Sequence, residues 1–211
     1  MLGPHITPDD LDIGAREAFG DIDPSTPLPE NLVINRHTGE RIEFLTRARD
    51  SGGTEMSMRF VAAPGGGVPF FHLHRFQEEW FRCLEGELVV QHPAGETVLK
   101  AGDEMSLPPA TMHALINRSD RDAVLEAGYR PAGKSEMWLR MVHAWHDRTG
   151  REPGLLDIAP FIGEVGIDIK GPPVWAQRLL FAFLKPISIL LGRRRRMLAN
   201  VSAVYGREYS W

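Results

Sequence analysis

Two histidines and two glutamates lie within the eight residues HLHRFQEE, from His72 to Glu79. Imidazole nitrogens and carboxylate oxygens are protein ligands that suit divalent first-row transition metals. Because side chains alternate with a period of two in an extended strand, His72 and His74 share one face there. The stretch therefore suggests a metal site, and it raises the question of whether Glu78 or Glu79 belongs to that site.

The phase of the next strand separates the two glutamates. In EEWFRCLEG, which ends at a glycine turn, Glu79 shares its face with Phe81 and Cys83, whereas Glu78 shares the opposite face with Arg82. The first face continues into apolar or small residues, as an interior position should. We therefore expect Glu79 to face the interior and Glu78 to be a solvated surface acid.

A third histidine, His113, follows about 30 residues later, on a new strand after the break at Pro108 and Pro109. Three histidines and one glutamate from separate strands would supply three neutral imidazoles and one anion. That set suits Fe, Mn, Ni, Cu or Zn, with one or two positions left for water or substrate. The resulting centre has a net charge near +1 and is suited to Lewis-acid or redox chemistry.

These residues fall into two motifs that resemble those of the cupin family. The first motif is matched by Gly66, His72, His74, Glu79 and Gly86, and the second by Gly102, Pro108, Ala110, His113 and Asn117. Fifteen residues separate the motifs, a spacing typical of compact single-domain cupins. One position departs from the family pattern, because Ala110 stands where glycine is usual and glycine adopts positive φ most easily. Pro109 is a second means of enforcing that turn.

The resemblance implies a fold and a ligand set. The fold class is all-β, a double-stranded β-helix or jelly-roll barrel, with an N-terminal arm and a C-terminal α-helical extension. The implied metal ligands are His72, His74, Glu79 and His113, which would hold one divalent transition metal ion, and Asn117 is expected to be structural.

Turn residues and changes in sequence pattern divide the chain into three parts. Residues 1–30 contain five prolines and read as an irregular arm with a short helix near Leu11 to Phe19. Residues 31–131 form a series of short strand patterns separated by turns, which is typical of a β-sandwich or small barrel. Residues 132–211 form a helical extension with a basic tail.

The extension begins with an amphipathic stripe from Met137 to Trp145 and continues to an apolar segment that ends at Gly192. Pro186 should kink or end the helix of that segment. Arg178 and Lys185 interrupt the apolar run, so it is not a convincing membrane span.

Three apolar residues of the barrel, Phe71, Leu73 and Trp80, have the opposite strand phase to the ligands and should point outward. An exposed apolar patch requires a cover, either a second subunit in a homodimer or the helices between Met137 and Leu191. We expect the helices to pack on the barrel or on the dimer. Two alternatives remain: the apolar segment and Arg193–Arg196 could contact an anionic membrane surface or an acidic partner, or form a solvated helix end.

Charge and composition exclude several classes of protein. The net charge of −4 argues against nucleic acid as a partner, although residues 171–211 carry seven Lys/Arg and one acid, whereas residues 1–170 carry 17 basic and 27 acidic residues. The single cysteine, Cys83, excludes an intramolecular disulfide and a zinc site built from cysteines. The N-terminus lacks the pattern of a secretory signal, so a cytoplasmic location is the expectation.

The cupin resemblance implies a metal-dependent oxygenase similar to quercetinase-like dioxygenases, with a small organic substrate. Glu79 would remain a ligand or leave the ion to act as the catalytic base. An isomerase, decarboxylase or polyketide cyclase that uses the metal as a Lewis acid is the alternative within enzymes, and a non-catalytic small-molecule or metal-binding module is the alternative outside them. A largely apolar substrate pocket, which favours an aromatic or enolisable substrate, would be lined by Phe70, Phe81, Cys83, Met105 and Leu115.

Overall fold

The computed structural model describes residues 27–35, 37–38 and 40–211. The short helix expected near Leu11 to Phe19, and most of the N-terminal arm, lie outside the described residues. The described residues between 31 and 130 fold as strands connected by turns, as the turn residues between the strand patterns predict.

Ten strands make up the barrel, one for each strand pattern in the sequence. They are β1 (Leu32–Asn35), β2 (Glu40–Thr46), β3 (Met56–Ala62), β4 (Gly67–His74), β5 (Glu78–Glu85), β6 (Glu87–His92), β7 (Gly95–Lys100), β8 (Glu104–Leu107), β9 (His113–Ile116) and β10 (Ala123–Arg130). Their lengths, four to eight residues, are ordinary for strands that end at Gly, Pro or Asp turns.

The strands form two antiparallel sheets that face each other. The six-stranded sheet has the order β1-β2-β3-β10-β5-β8, and the five-stranded sheet has the order β11-β4-β9-β6-β7, where β11 (Ile167–Ile169) comes from the C-terminal extension. Non-consecutive strands are neighbours in both sheets, as in a jelly roll. Inward residues of both sheets, such as Phe81, Leu88 and Leu125, are almost completely buried and form the core between the layers.

The glycine at the β5–β6 turn is required by its surroundings. Gly86 has a φ of 70°, and a Cβ added there would lie 2.6 Å from the backbone oxygen of Asp122. Any other residue would be both strained and in collision with the start of β10. A glycine therefore closes the first motif, at the point where the β5–β6 turn lies against the backbone at the start of β10.

The C-terminal extension contains five helices and the eleventh strand. The helices are α1 (Ser135–Thr149), α2 (Leu155–Ile158), α3 (Ile162–Val165), α4 (Val174–Leu190) and α5 (Arg193–Tyr205). Strand β11 was not expected, because its three residues carry no readable pattern. It pairs with the edge of β4, with Ile167 opposite His74 and Ile169 opposite His72.

Helices α1 and α5 pack on the barrel through conventional buried faces. Met141 and Trp145 of α1 are buried in the main core, and so are Met197 and Tyr205 of α5. Arg140 of α1 is almost completely buried beneath the rings of neighbouring aromatic residues. The expectation that helices between Met137 and Leu191 pack on the barrel is confirmed for α1, and α5, which lies beyond that range, packs there as well.

Helix α4 does not cover the patch formed by Phe71, Leu73 and Trp80 within one chain, and its packing on a dimer stays a prediction. Phe71 is partly buried beneath Lys170, and Trp80 is partly buried beneath Arg130, so both are covered by neighbouring cations. The apolar residues of α4 are instead exposed. Helix α4 also continues to Leu190 without ending at Pro186.

Within the described residues, no single helix is both long enough and apolar enough to cross a membrane. The pair formed by α4 and α5 satisfies that test only when the two helices are taken together, and they are bent by 71° relative to each other.

Gly128 of β10 gives the first testable prediction. A Cβ at this position would lie 2.5 Å from the backbone oxygen of Met56 and 2.7 Å from Nε1 of Trp80, so β3 and β10 must separate in Gly128→Ala. We expect a loss of about 2 kcal/mol, or about 5 °C in Tm, measured by thermal and denaturant unfolding. Gly163→Ala is the matched control, because nothing lies within 4 Å of its added Cβ. Equal stability of the two variants would contradict the close approach of Trp80 to β10.

Candidate metal centre

The four sequence-predicted ligands meet between the two sheets. His72 and His74 lie on β4, and His113 lies opposite His72 on the neighbouring strand β9. Glu79 lies on β5 in the other sheet. All four side chains are at most 5% exposed, so the site is inside the barrel.

Backbone carbonyls set the tautomers of two of the histidines. Nδ1 of His72 lies 3.1 Å from the carbonyl oxygen of Phe70, and Nδ1 of His113 lies 2.9 Å from that of Thr111. A carbonyl oxygen only accepts hydrogen bonds, so each Nδ1 carries the proton. Each Nε2 then has a free lone pair directed into the barrel, which is the usual arrangement of a metal-binding histidine.

The ligand atoms converge without satisfying one another. Glu79 Oε2 lies 2.7 Å from His113 Nε2 and 3.2 Å from His74 Nε2, but neither contact has hydrogen-bond geometry. Among the described residues these three buried atoms have no hydrogen-bond partner. Buried polar atoms without partners are unfavourable, which indicates that they serve another ligand.

The spacing of the donor atoms suits one ion. One ligand atom from each of the four residues lies within 4.8 Å of the others. Donors held about 2.1 Å from a first-row metal are about 3 to 4 Å apart, so the cluster needs little adjustment to enclose an ion. The four residues could therefore hold a metal.

The electrostatics of the cluster agree with this donor set. Burial lowers the pKa of His72 to about 4, so this imidazole is neutral at pH 7. Burial acts to raise the pKa of Glu79, but the charges and close contacts of His74 and His113 hold it well below its ordinary value. Burial acts to lower the pKa of His113, and contact with Glu79 outweighs it and raises that pKa. The carboxylate is thus ionised, and it is the anion that the donor set needs.

Tyr129 is a neighbour of the site that the sequence motifs do not include. It lies opposite Glu79 in the pairing of β10 with β5, and its ring centroid is 4.9 Å from that of His74. Burial raises the pKa of its phenol well above the ordinary value, and the Glu79 carboxylate adds to the shift. The phenol therefore keeps its proton. The inward phase of β10 was the one signal that could have identified this residue.

Gln77 holds the turn between His74 and Glu79 in place. Its buried side-chain amide nitrogen donates to the backbone oxygens of Pro131 and Ala132, each at 2.9 Å, and lies 2.9 Å from Ser135 Oγ. These contacts tie the β4–β5 turn to the start of α1. The C-terminal extension thus helps to position two ligands, which a local motif could not reveal.

Ala110, which stands where the second motif usually has glycine, lies in a turn that requires positive φ. Ala110 has a φ of 64° and is the one non-glycine residue with positive φ among the described positions. The Thr111 N–H donates to the Pro108 carbonyl at 3.2 Å, so Pro109 and Ala110 occupy the centre of a turn in which proline precedes a left-handed residue. The Ala110 N–H donates to the His74 carbonyl at 2.7 Å and links this turn to the ligand strand.

Asn117, the last residue of the second motif, has a structural position. Its side-chain nitrogen donates to the backbone oxygens of Ala62 at 2.8 Å and Arg121 at 2.7 Å. Its side-chain oxygen accepts from the backbone and hydroxyl of Ser119. The residue closes the β9–β10 loop and points away from the ligands.

The structure shows that Glu79, and not Glu78, faces the candidate ligands, as the strand phase predicts. Glu79 is 3% exposed and faces the histidines. Glu78 lies on the outer face and pairs with Arg130 at 3.2 Å, whereas Arg82 pairs with Glu104. The expected surface position of Glu78 is confirmed, although its ionic partner is not the residue that shares its strand.

The residues expected to line a pocket are distributed unevenly. Phe81 and Leu115 are buried two residues from Glu79 and His113, and Met105 lies opposite Phe81 on β8. Cys83 is fully buried about 13 Å along β5 from Glu79, too far to line a space around the ligands.

The expected interior position of Phe70 is wrong. Phe70 is 56% exposed, with its ring centroid 5.5 Å from that of His72. The pairing of β4 with β9 shifts register between Val68 and His72, and this irregularity breaks the alternation on which the expectation depended. Phe70 can border the site only from the solvent side.

Comparison with known proteins agrees with the fold and the ligand set. Residues 58–127 match the family model described as "Cupin domain". This segment holds all four candidate ligands and lies within the two-sheet jelly roll, so this part of the chain is similar to a cupin domain. No curated protein matches the chain.

Solved structures with a similar barrel share little sequence with it. A sugar phosphate isomerase of the cupin superfamily from Silicibacter pomeroyi is 23% identical, with a TM-score of 0.40 over 50% of this chain and 67% of its own. A predicted oxalate decarboxylase from Thermotoga maritima is 21% identical, with a TM-score of 0.43 over 52% of this chain and 96% of its own. An RmlC-like cupin from Shewanella frigidimarina is 20% identical, with a TM-score of 0.42 over 51% of this chain and 89% of its own.

The ligand assignment predicts the metal content of the wild-type protein and of three variants. We expect purified protein to hold about one metal ion per chain, and His74→Ala to lose most of it, since the remaining donors cannot enclose the ion. Glu79→Gln should lower metal affinity at least about tenfold, whereas Glu78→Gln, its exposed neighbour, should retain the wild-type content. Elemental analysis after dialysis measures all four proteins. Metal loss in Glu78→Gln with retention in Glu79→Gln would show that the assigned strand phase is wrong.

The turn at Ala110 predicts a stabilising substitution. Ala110→Gly removes the strain of a left-handed alanine, which outweighs the added freedom of the unfolded chain. We expect a gain of about 0.5 to 1 kcal/mol, or about 2 °C in Tm. Ala110→Val is the control at the same exposed position, and it should lose more than about 1 kcal/mol because a β-branched residue is poorly tolerated at positive φ. A stabilised valine variant would contradict the turn.

Proposed function

We propose that the chain is a metal-dependent enzyme whose active site is the cluster of His72, His74, Glu79 and His113. One observation carries the proposal: four buried donors face one point, and three of their ligand atoms have no hydrogen-bond partner among the described residues. A cluster of this kind inside a barrel is unfavourable for stability unless it binds a ligand.

The chemistry of the donors supports catalysis more than structural binding. Structural zinc sites are usually closed by four ligands that include cysteine, and this site contains no cysteine. Three imidazoles and one carboxylate suit six-coordinate metals, for which two positions remain open. When bound, the ion would supply Lewis acidity, or redox chemistry if it is iron or copper.

The protein residues around the cluster support a small aromatic or enolisable substrate. Phe81 and Leu115 give the neighbourhood of the ligands an apolar character, and Phe70 borders it from the solvent side. Tyr129 keeps its phenolic proton and can donate a hydrogen bond to an oxygen of the substrate. Glu79 is the base within the cluster, so it either remains a ligand or accepts the proton that an enolisable substrate loses.

An oxygenase is the reaction type that we favour within this proposal. The redox-neutral alternatives, an isomerase, a decarboxylase or a polyketide cyclase, use the same donors, and no side chain at the site separates them. The identity of the ion that the protein retains is therefore informative, because iron and copper favour reaction with oxygen whereas zinc favours Lewis-acid chemistry.

The number of ligands at the ion tests the proposal without a known substrate. X-ray absorption spectroscopy of the purified protein should show about six nitrogen and oxygen ligands, of which the protein supplies four. Oxygen uptake should follow addition of a flavonol or a β-diketone, and it should be absent in His74→Ala. A closed four-coordinate ion would contradict a catalytic centre and favour a binding module, and turnover without oxygen uptake would contradict the oxygenase.

A further inference from the structure

Helix α4 has a continuous apolar row that faces solvent. Trp175 is 67% exposed, Leu179 63%, Phe183 68% and Leu190 87%. These residues are separated by four, four and seven positions, so they follow one side of the helix. The row is about 22 Å long at 1.5 Å per residue, and it presents large side chains along its whole length.

The same helix turns polar residues toward the protein. Gln177 and Ser188 are its buried residues. The side-chain nitrogen of Gln177 donates to the backbone oxygen of Ile169 at 2.8 Å, and the Ser188 hydroxyl donates to that of Leu156 at 2.5 Å. Phe181 also packs against the small cluster of Ile162, Val165 and Ile167, but the larger apolar row of α4 stays outside, whereas a surface helix normally buries its apolar side.

The charges of α4 lie beside the body of the protein. Arg178 lies 3.7 Å from Asp168, and Lys185 lies 3.2 Å from Glu164. Both ion pairs hold the cations toward the α3–β11 segment. The exposed row therefore contains no charged side chain, and it ends at Leu191, which is also exposed.

A cationic corner follows the row. Four arginines, Arg193–Arg196, occupy the first turn of α5, which has no acidic residue. Cations at a helix N-terminus are unfavourable because the helix dipole places positive charge there. Arg193 pairs with Asp157 at 3.2 Å, and Arg196 lies over the ring of Trp145. Arg194 and Arg195 are exposed, and residues 171–207 contain no Asp or Glu. The corner is complementary to an anionic surface.

We propose that α4 and the corner formed by Arg194 and Arg195 dock this protein on the surface of an anionic lipid bilayer. The apolar row lies in the interfacial plane among the acyl chains, and the arginines contact the anionic headgroups. Residues 1–170 carry a balance of −10, so an anionic membrane repels the rest of the chain and selects this one face. A second copy of the chain that docked through the same face would bring its own arginines against this corner. Residues 171–207 contain no Asp or Glu that could pair with them.

Vesicle binding of the full chain tests the proposal. We expect flotation with phosphatidylcholine vesicles that contain phosphatidylglycerol, weaker flotation with phosphatidylcholine alone, and weaker binding as salt is raised. Arg194→Gln/Arg195→Gln should weaken binding to the anionic vesicles about 30-fold, because each arginine near the surface contributes about fivefold in affinity. Arg118→Gln/Arg121→Gln, which removes two exposed arginines of the β9–β10 loop, should bind like wild type.

The apolar row needs its own variant and control. Leu179→Ser/Phe183→Ser should weaken binding at least about tenfold, because two buried apolar contacts with the acyl region are lost. Both side chains are exposed in the free protein, so the variant should keep the wild-type Tm. Val98→Ser, at a 44% exposed apolar position on β7, is the control that should leave binding unchanged.

Two results would overturn the proposal. One is failure of the wild-type protein to bind anionic vesicles. The other is sedimentation of the wild type as a dimer that Leu179→Ser/Phe183→Ser converts to a monomer, which would assign the row to a second copy of the chain. Neither result depends on the metal, so metal content and oxygen uptake of the same variants separate this proposal from the proposed function.

Discussion

The carboxylate of Glu79 is the feature on which the site depends. An ionised carboxylate inside a barrel is strongly unfavourable unless positive charge or hydrogen-bond donors compensate for the water that it has lost. Here the nearest groups come from the opposite sheet, where the Nε2 atoms of His74 and His113 lie within 3.2 Å of one carboxylate oxygen and the two histidines lower the pKa of Glu79. The two layers of the jelly roll are therefore coupled at this point by electrostatics as well as by apolar packing. Backbone contacts from Phe70 and Thr111 orient two of the imidazoles, so the site is organised by the strands themselves.

The C-terminal extension has two different relations to the barrel. Helices α1 and α5 are part of the core, and α1 also reaches the ligand turn through the contact between Ser135 and Gln77. Strand β11 adds backbone pairing along the edge of β4, directly beside the two histidines of that strand. Helix α4 is attached instead by the polar contacts of Gln177 and Ser188 and by Phe181, and it leaves its apolar row outside. The extension thus supports the site at one end and presents an amphipathic surface at the other.

Much of the barrel was readable from the sequence, since most of its ten strands are bounded by turn residues and several, such as β5, alternate with a period of two. The same alternation correctly placed Glu79 inside and Glu78 outside. It misplaced Phe70, because a register shift in β4 breaks the period. It also did not reveal Tyr129 and Gln77, whose proximity to the ligands arises from pairing with strands and helices distant in sequence.

The sequence by itself determined three things: which residues can bind a metal, on which face of a strand Glu78 and Glu79 lie, and that one turn would need positive φ. These are local properties, set by side-chain alternation and by backbone sterics within a few residues. Only the tertiary structure decided that the four donors converge, that Trp80 lies beneath Arg130, and that α4 turns Gln177 inward and Phe183 outward. Hydrophobicity alone predicts that an apolar helix is buried, but its actual orientation depends on the polar partners that a folded barrel offers.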